Sequence, residues 1–191
     1  MPKPTKSEIA AEILDRAAAL FARHGFAHTS LQQIADAVNY SKAGLLHHYP
    51  SKQAIYDAAL KTGTDHMQAL LESVQHIPVG VERDRAVVEA SVDFTYDWPG
   101  LSALANRLAD QGEDAEPELI KTGLTLYAAL GIDLAKLELE RVVRVTSAFC
   151  GLGIAALTAA RMDVKREWRG HLVQAAMDAL GHAGKEARKG R

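Results

Sequence analysis

The chain has 191 residues, 48% of them hydrophobic, and a formal net charge of −2, which supports a buried core and argues against disorder. No run reaches the ~18 uninterrupted apolar residues of a membrane span. The polar start from Met1 to Lys6 predicts no secretion leader, and a single cysteine, Cys150, excludes an intrachain disulfide framework and points to a reducing cytoplasm.

Charge does not advertise nucleic acid either. Residues 1–60 carry six Lys/Arg against five Asp/Glu, and residues 61–191 carry sixteen against nineteen, so any such argument rests on pattern. The front third is densely punctuated. Ser7 is placed to cap a first helix with apolar positions Ile9, Ile13, Ala17, Leu20 and Phe21, and Gly25 suits the left-handed turn that ends it. Thr29 and Ser30 precede a short second helix carrying Leu31, Ile34, Ala35 and Val38. Asn39 and Tyr40 interrupt it, Ser41 opens a third helix through Tyr49, and Pro50 stops that one. Ser51 then caps a longer helix with Ile55, Tyr56, Ala59 and Leu60. Short helices separated by a tight turn read as a helix-turn-helix.

No strand-like alternation follows. Helical patterns run over 81–97, 101–111, 117–130, 138–161 and 164–183, separated by Pro78, Gly80, Pro99, Gly100, Gly112, Pro117, Gly131 and Asp163. The fold class is therefore all-α, with about nine helices. The chain divides into a helix-turn-helix domain over 1–52, a ligand-binding and dimerisation domain over 53–183, and a basic tail over 184–191.

From Phe26 to Leu60, with Gly25 before it, the chain reads GF-x-x-TS-x-x-x-IA-x-x-x-x-x-SKAGLLHHYPSK-x-x-x-Y. This stretch resembles the TetR family of bacterial regulators at Thr29, Ser30, Ile34, Ala35, Ser41, Lys42, Leu45, His48, Tyr49, Ser51 and Lys52. The rest of the chain resembles that family only in length and helical content. Two positions depart from its pattern: Leu46 stands where the family usually has an aromatic residue that touches phosphate, and Gly44 where a base-facing polar residue is common.

In a helix-turn-helix the second helix of the motif enters the major groove with its N-terminal residues at base edges. Tyr40, Ser41, Lys42, Ala43 and Gly44 occupy that leading turn. Lys42 can donate to guanine O6 or N7, and Ala43 is small enough for a thymine methyl. The resemblance makes Gln32 the likelier base reader of the pair Gln32 and Gln33, beside Leu31. Phosphate contacts fall to Thr29 and Ser30 at the start of the second helix and, by the resemblance, to His48 and Lys52, with His47 able to replace the contact that Leu46 lacks; Lys3 and Lys6 on an N-terminal arm could reach the adjacent minor groove, and Tyr49 follows the apolar side shared with Leu45. His47 and His48 are adjacent, point about 100° apart on a helix and do not converge on one ion, so no metal and no cofactor is expected.

One reading head touches too little DNA to be selective, so a two-fold dimer on a palindromic operator is expected. By resemblance the last two helices make it. The residues proposed for the interface are Ala148, Gly151, Leu152, Ala155 and Ala159 on one helix and Trp168, Leu172, Ala176 and Leu180 on the next. Met67, Leu71, Phe94, Asp97, Trp98, Leu104, Leu108, Tyr127 and Phe149 could line a pocket for a small effector, apolar or a lipophilic cation, with Asp93 and Asp97 among the aromatics. Cys150, flanked by Phe149 and Gly151, reads as a buried small hydrophobe.

No Ser-His-Asp, Cys-His, phosphate-binding glycine loop or metal-spaced cluster appears, so an enzyme is not expected. The resemblance implies a DNA-binding repressor released by an effector. The same contacts would serve an activator, and Leu46 with Gly44 leaves open a family-like dimer that works as a protein-interaction module.

Overall fold

The computed structural model describes residues 5–109 and 117–184. Among the described residues there are nine α-helices and no strand. They form two compact units, one from Met1–Asp65 with Trp98–Leu119, the other from His66–Asp97 with Ile120–Arg191. This partition does not follow the chain division expected at residues 52 and 53, because one later helix joins the front of the chain. Lys3 and the tail from Lys185 lie outside the described residues.

In the first unit, α1 (Lys6–His24) is capped by Thr5 and not by Ser7. Thr5 has a carboxylate three residues on. Its amide donates to Glu8 Oε2 at 2.7 Å, and the Glu8 amide donates to Thr5 Oγ1 at 3.2 Å, so two free helix-end donors are satisfied together. The backbone bond from Thr5 holds the Glu8 carboxyl below its ordinary pKa. Gly25, at φ 84°, ends α1 with its amide on the Phe21 carbonyl. α1 buries Ile13, Leu14, Ala17, Ala18 and Phe21.

α2 (Leu31–Ala37) and α3 (Lys42–His48) follow, joined by a turn in which Asn39 takes the left-handed φ of 56° and the Tyr40 amide bonds the Ala35 carbonyl at 2.9 Å. Asparagine tolerates that conformation better than most residues. α4 (Lys52–Val74) starts where the Ala54 amide donates to Ser51 Oγ at 3.1 Å, as its sequence predicts. It begins in the first unit and ends in the second.

The helix that returns to the first unit is α6 (Pro99–Ala109), packed on α1. Asp15 Oδ1 accepts the amides of Gly100 at 2.8 Å and Leu101 at 3.1 Å, so a carboxylate 85 residues away caps its start. Arg107 donates to the Ala22 carbonyl at 2.9 Å. The backbones approach so closely that a β-carbon on Gly100 would sit 1.8 Å from the Asp15 carbonyl oxygen.

The second unit is built on α5 (Val81–Asp97), α8 (Leu139–Arg161) and α9 (Lys165–Met177), each packed on the other two. Val87, Val88, Val92, Val145, Ala148, Leu152, Val173 and Met177 form its core. α7 (Pro117–Ala129) ends against Arg83, a buried side chain that donates to the Ala129 and Ala128 carbonyls at 2.6 and 2.9 Å and so satisfies helix-end acceptors. Its neighbour Asp84, 1% exposed, accepts two bonds from Arg141 (2.7 and 2.8 Å) and lies 2.7 Å from His182 Nε2. His182 ends a wider turn, Asp178–His182, in which Gly181 takes φ 92°. The regular helix expected through residue 183 thus stops at Met177.

Candidate nucleic-acid interface

The helix-turn-helix is held from beneath by Ile34, Ala35 and Leu45, all fully buried. Phe21, Phe26 and Tyr56 tie α1, the turn after it and α4 together. Their ring centroids are 5.7 Å (Phe21–Phe26), 5.3 Å (Phe21–Tyr56) and 4.9 Å (Phe26–Tyr56) apart. That frame fixes which residues of α2 and α3 face outward.

Ser30 caps α2 in a second capping box: the Gln33 amide donates to Ser30 Oγ at 3.2 Å and the Ser30 amide to Gln33 Oε1 at 2.7 Å. Gln33 is therefore held as a helix cap. Gln32 is exposed, its amide nitrogen donating to Asp36 Oδ1 at 2.7 Å, which orients the side chain along the helix. Leu31 is half-buried between them. Ser41 caps α3 by accepting the Gly44 amide at 3.0 Å.

Lys42, Ala43, Leu46 and His47 project to solvent. Gly44 is half-buried: a β-carbon there would lie 3.2 Å from Ser41 Oγ and 3.3 Å from Tyr40 Cδ1. The family's polar residue at this place would crowd the cap and the Tyr40 ring. His48 is half-buried and meets Tyr40 edge-on, with centroids 5.6 Å apart. Tyr49 is half-buried, and burial raises its phenol above the ordinary pKa.

Two expected phosphate contacts are otherwise engaged. Thr29 is 2% exposed, its hydroxyl donates to the Gly25 carbonyl at 2.8 Å and its amide to the Phe26 carbonyl at 3.3 Å. It is buried and fastens the turn after α1. Lys52 donates to the Phe26 carbonyl at 2.7 Å with its ammonium 4.3 Å from the centre of the Phe26 ring, a tether between α4 and that same turn. Both residues belong to the motif because they shape the unit. The exposed set that remains is Ser30, Gln32, Gln33, Ser41, Lys42, Ala43, Leu46 and His47.

The residues expected at an effector pocket do not lie together in one unit. Leu104 and Leu108 are buried in the first unit on α6, and Trp98 starts the segment that belongs there. Met67, Leu71, Tyr127 and Phe149 are half-buried around the core of the second unit. There Phe94 stacks on His66, centroids 4.0 Å apart at 25°. His66 Nε2 is buried without a hydrogen-bond partner. Burial lowers the His66 pKa, against the opposing pull of the exposed carboxylate Asp97. Asp93 is exposed and accepts two bonds of 2.8 Å from Arg169. The sequence pattern did not single out His66, whose only signal is helical spacing on α4 next to Met67.

The residues expected at a dimer interface divide in a similar way. Ala148, Leu152, Ala159, Leu172, Ala176 and Leu180 are buried in the second unit, where they pack within the chain. Ala155 is half-buried, Gly151 is exposed, and Trp168 is 37% exposed. Cys150, expected to be buried, is exposed on the outer side of α8. No group of three or more His, Cys, Asp or Glu that could hold a metal occurs among the described residues.

Residues 13–59 match the model of the bacterial regulatory proteins of the tetR family. The chain is similar to the HTH-type transcriptional regulator RutR of Escherichia coli (strain K12), 32% identical over 92 residues, 48% of this chain and 43% of that protein. It is also similar to IcaR of Staphylococcus aureus (strain Newman), the HTH-type negative transcriptional regulator of the biofilm operon icaADBC. Identity there is 37% over 60 residues, 31% of this chain and 32% of that protein. The matches thus span less than half the length of these curated relatives. A TetR-family regulator from Bordetella parapertussis 12822 shares the fold over 89% of this chain and 94% of its own, with a TM-score of 0.65 at 24% identity.

Proposed function

This chain belongs to the TetR family through its N-terminal domain, and from that membership we propose that it is a homodimeric repressor, released from a palindromic operator by a small lipophilic effector. The observation that carries the reading is the outward face of α3. Ser41 and the buried Leu45 fix the helix, and Lys42, Ala43 and His47 are left exposed on it, as Gln32 is on α2.

Each of these residues has a defined role in that reading. Lys42 donates to guanine O6 or N7, Ala43 packs on a thymine methyl, and Gln32 reads an adjacent base. The half-buried Gly44 brings the backbone close to the base edges. Phosphate contacts fall to Ser30 and His47, because Thr29 and Lys52 are committed inside the unit. Leu46 offers an apolar contact in place of a phosphate hydrogen bond.

Repression is the mode named for IcaR. In the second unit the effector takes the neighbourhood of Met67, Leu71, Phe94, Tyr127 and Phe149, and the unpartnered His66 Nε2 gives it one polar anchor. An effector there favours a dimer whose reading heads no longer match grooves about 34–36 Å apart.

Selection of an operator from random duplexes, followed by gel shifts at moderate salt, tests the reading. A palindromic sequence is expected, and Lys42→Ala should relax preference at one base pair per half-site at a cost of about 1–3 kcal/mol. A dimer that binds DNA with no sequence preference overturns it and favours the interaction module.

A further inference from the structure

We infer that Gly44 is the seat of the Tyr40 ring, and that the ring so held carries a hydroxyl that hydrogen-bonds an acceptor of the bound duplex. The inference rests on the DNA-binding reading above and adds a side chain to it.

Tyr40 stands between the turn and the cap of α3. Its amide bonds the Ala35 carbonyl at 2.9 Å, directly after Asn39 with its left-handed φ of 56°, so its backbone is fixed from α2. Gly44 and His48 lie one turn apart on the same face of α3, and the Tyr40 ring lies against both. It meets His48 edge-on, with centroids 5.6 Å apart at 89°. A β-carbon at Gly44 would stand 3.3 Å from Tyr40 Cδ1 and 3.2 Å from Ser41 Oγ, closer than the ~3.5–4.0 Å at which carbon atoms pack well. Any side chain at position 44 therefore pushes the ring or the cap aside.

Nothing else at this place calls for glycine. Glycine weakens a helix relative to alanine, and Gly44 is not among the glycines with positive φ. Gly63, Gly123, Gly151 and Gly170 also lie inside helices, and a β-carbon there would meet nothing within 4 Å. At Gly44 that space is bounded by the Ser41 cap and an aromatic ring.

The far end of the ring is free. Tyr40 is half-buried, and among the described residues its hydroxyl is neither buried nor hydrogen-bonded. A phenol both donates and accepts. Tyr40 adjoins Ser41, Lys42 and Ala43, the leading turn that a helix-turn-helix carries into the major groove, where base edges and phosphate oxygens are the acceptors. What residue 44 lacks in side chain, residue 40 supplies beside it. With ring and backbone both held, the hydroxyl is placed before DNA arrives, which lowers the ordering cost of the contact.

Two double-mutant cycles on the full chain test the seat and the contact separately. Without DNA, adding Gly44→Ala to Tyr40→Ala should raise the folding equilibrium constant about two- to fivefold, the ordinary gain of alanine over glycine in a helix, read by urea unfolding. With Tyr40 in place the gain should vanish or reverse, and equal gains in both backgrounds overturn the seat. On the selected operator, Tyr40→Phe keeps the ring, removes the hydroxyl and is expected to weaken binding about tenfold. Gly44→Ala should weaken it comparably, yet change little when added to Tyr40→Phe. A loss of the same size in both backgrounds would put the new methyl against DNA and overturn the link between seat and contact. Weakening by Tyr40→Phe confined to the selected operator assigns the acceptor to a base, and equal weakening on an unrelated duplex assigns it to a phosphate oxygen. A Tyr40→Phe chain that binds like wild type overturns the contact. A wild type that binds no duplex overturns the DNA reading and this contact with it, while the cycle in the free protein still decides the seat.

Discussion

Replacing Gly100 by alanine tests whether α6 is clamped to α1 as its geometry requires. A β-carbon at that position would lie 1.8 Å from the Asp15 carbonyl oxygen and 2.8 Å from its carbonyl carbon. Both are backbone atoms, so no change of rotamer relieves the overlap. α6 must shift away from α1, and the shift stretches the bonds from the Gly100 and Leu101 amides to Asp15 Oδ1. Overpacking costs about 1–3 kcal/mol, and a hydrogen bond to a charged acceptor contributes about 1.5–3 kcal/mol. Losing one such bond with the overlap gives roughly 2.5–6 kcal/mol, a large share of the ~5–15 kcal/mol that holds a domain folded. Gly63→Ala is the matched control: inside α4, its new β-carbon meets nothing within 4 Å, and alanine there should gain about 0.5–1 kcal/mol. Urea unfolding of both variants measures the difference. If Gly100→Ala stays within about 0.5 kcal/mol of the parent, or moves with Gly63→Ala, the clamp is refuted.

Thr29→Val keeps the shape but leaves the Gly25 carbonyl without its donor. It should destabilise by about 1–2 kcal/mol with no change in the salt dependence of DNA affinity, whereas a slope reduced by about one ion would restore Thr29 as a phosphate contact. Because burial lowers the His66 pKa below its ordinary value of 6.5, the unfolded chain binds that proton more readily than the folded one. The stability tied to neutral His66 is then present above pH 6.5 and is lost as pH falls toward the folded pKa. Unfolding free energies of His66→Leu across pH 4.5–7.5 should show a shallower acid slope than wild type, and identical slopes would remove His66 from the account. Asp84→Asn weakens the two bonds to Arg141 and the contact with His182 and should cost about 2–3 kcal/mol, read by thermal melting; a melting temperature equal to wild type would show the cluster to be dispensable.

Much of the helix order was legible because proline, glycine and capping residues mark the breaks, and Ser30, Ser41 and Ser51 cap where the sequence places them. Ser7 failed as a cap for a local reason: Thr5 has Glu8 three residues on and Ser7 has Ala10. The grouping of α6 with α1 was not legible, because it depends on one carboxylate meeting two amides across 85 residues. The facing of α8 was not legible either. A helix apolar nearly all round gives no stripe to orient it, so Ala148, Leu152 and Ala159 read as interface when they are core, and Cys150 read as core when it is exposed.

The same distinction bears on what the motif around α2 and α3 means. Thr29 and Lys52 fasten the turn after α1, Ser30 and Ser51 cap helices, and Ile34, Ala35 and Leu45 fill the space beneath. Each motif position with a resolved internal partner is explained by the shape of the unit, with no DNA present. The motif is therefore a signature of how the reading head is built. On the proposed reading, what it reads is carried by the exposed positions between, Gln32, Lys42, Ala43, Leu46 and His47, where substitutions cost the fold little. It follows that exchanging these five residues for those of a relative should transfer operator preference and leave the melting temperature within a few degrees of the parent. A chimaera that folds but keeps the original operator would show that sequence is read elsewhere.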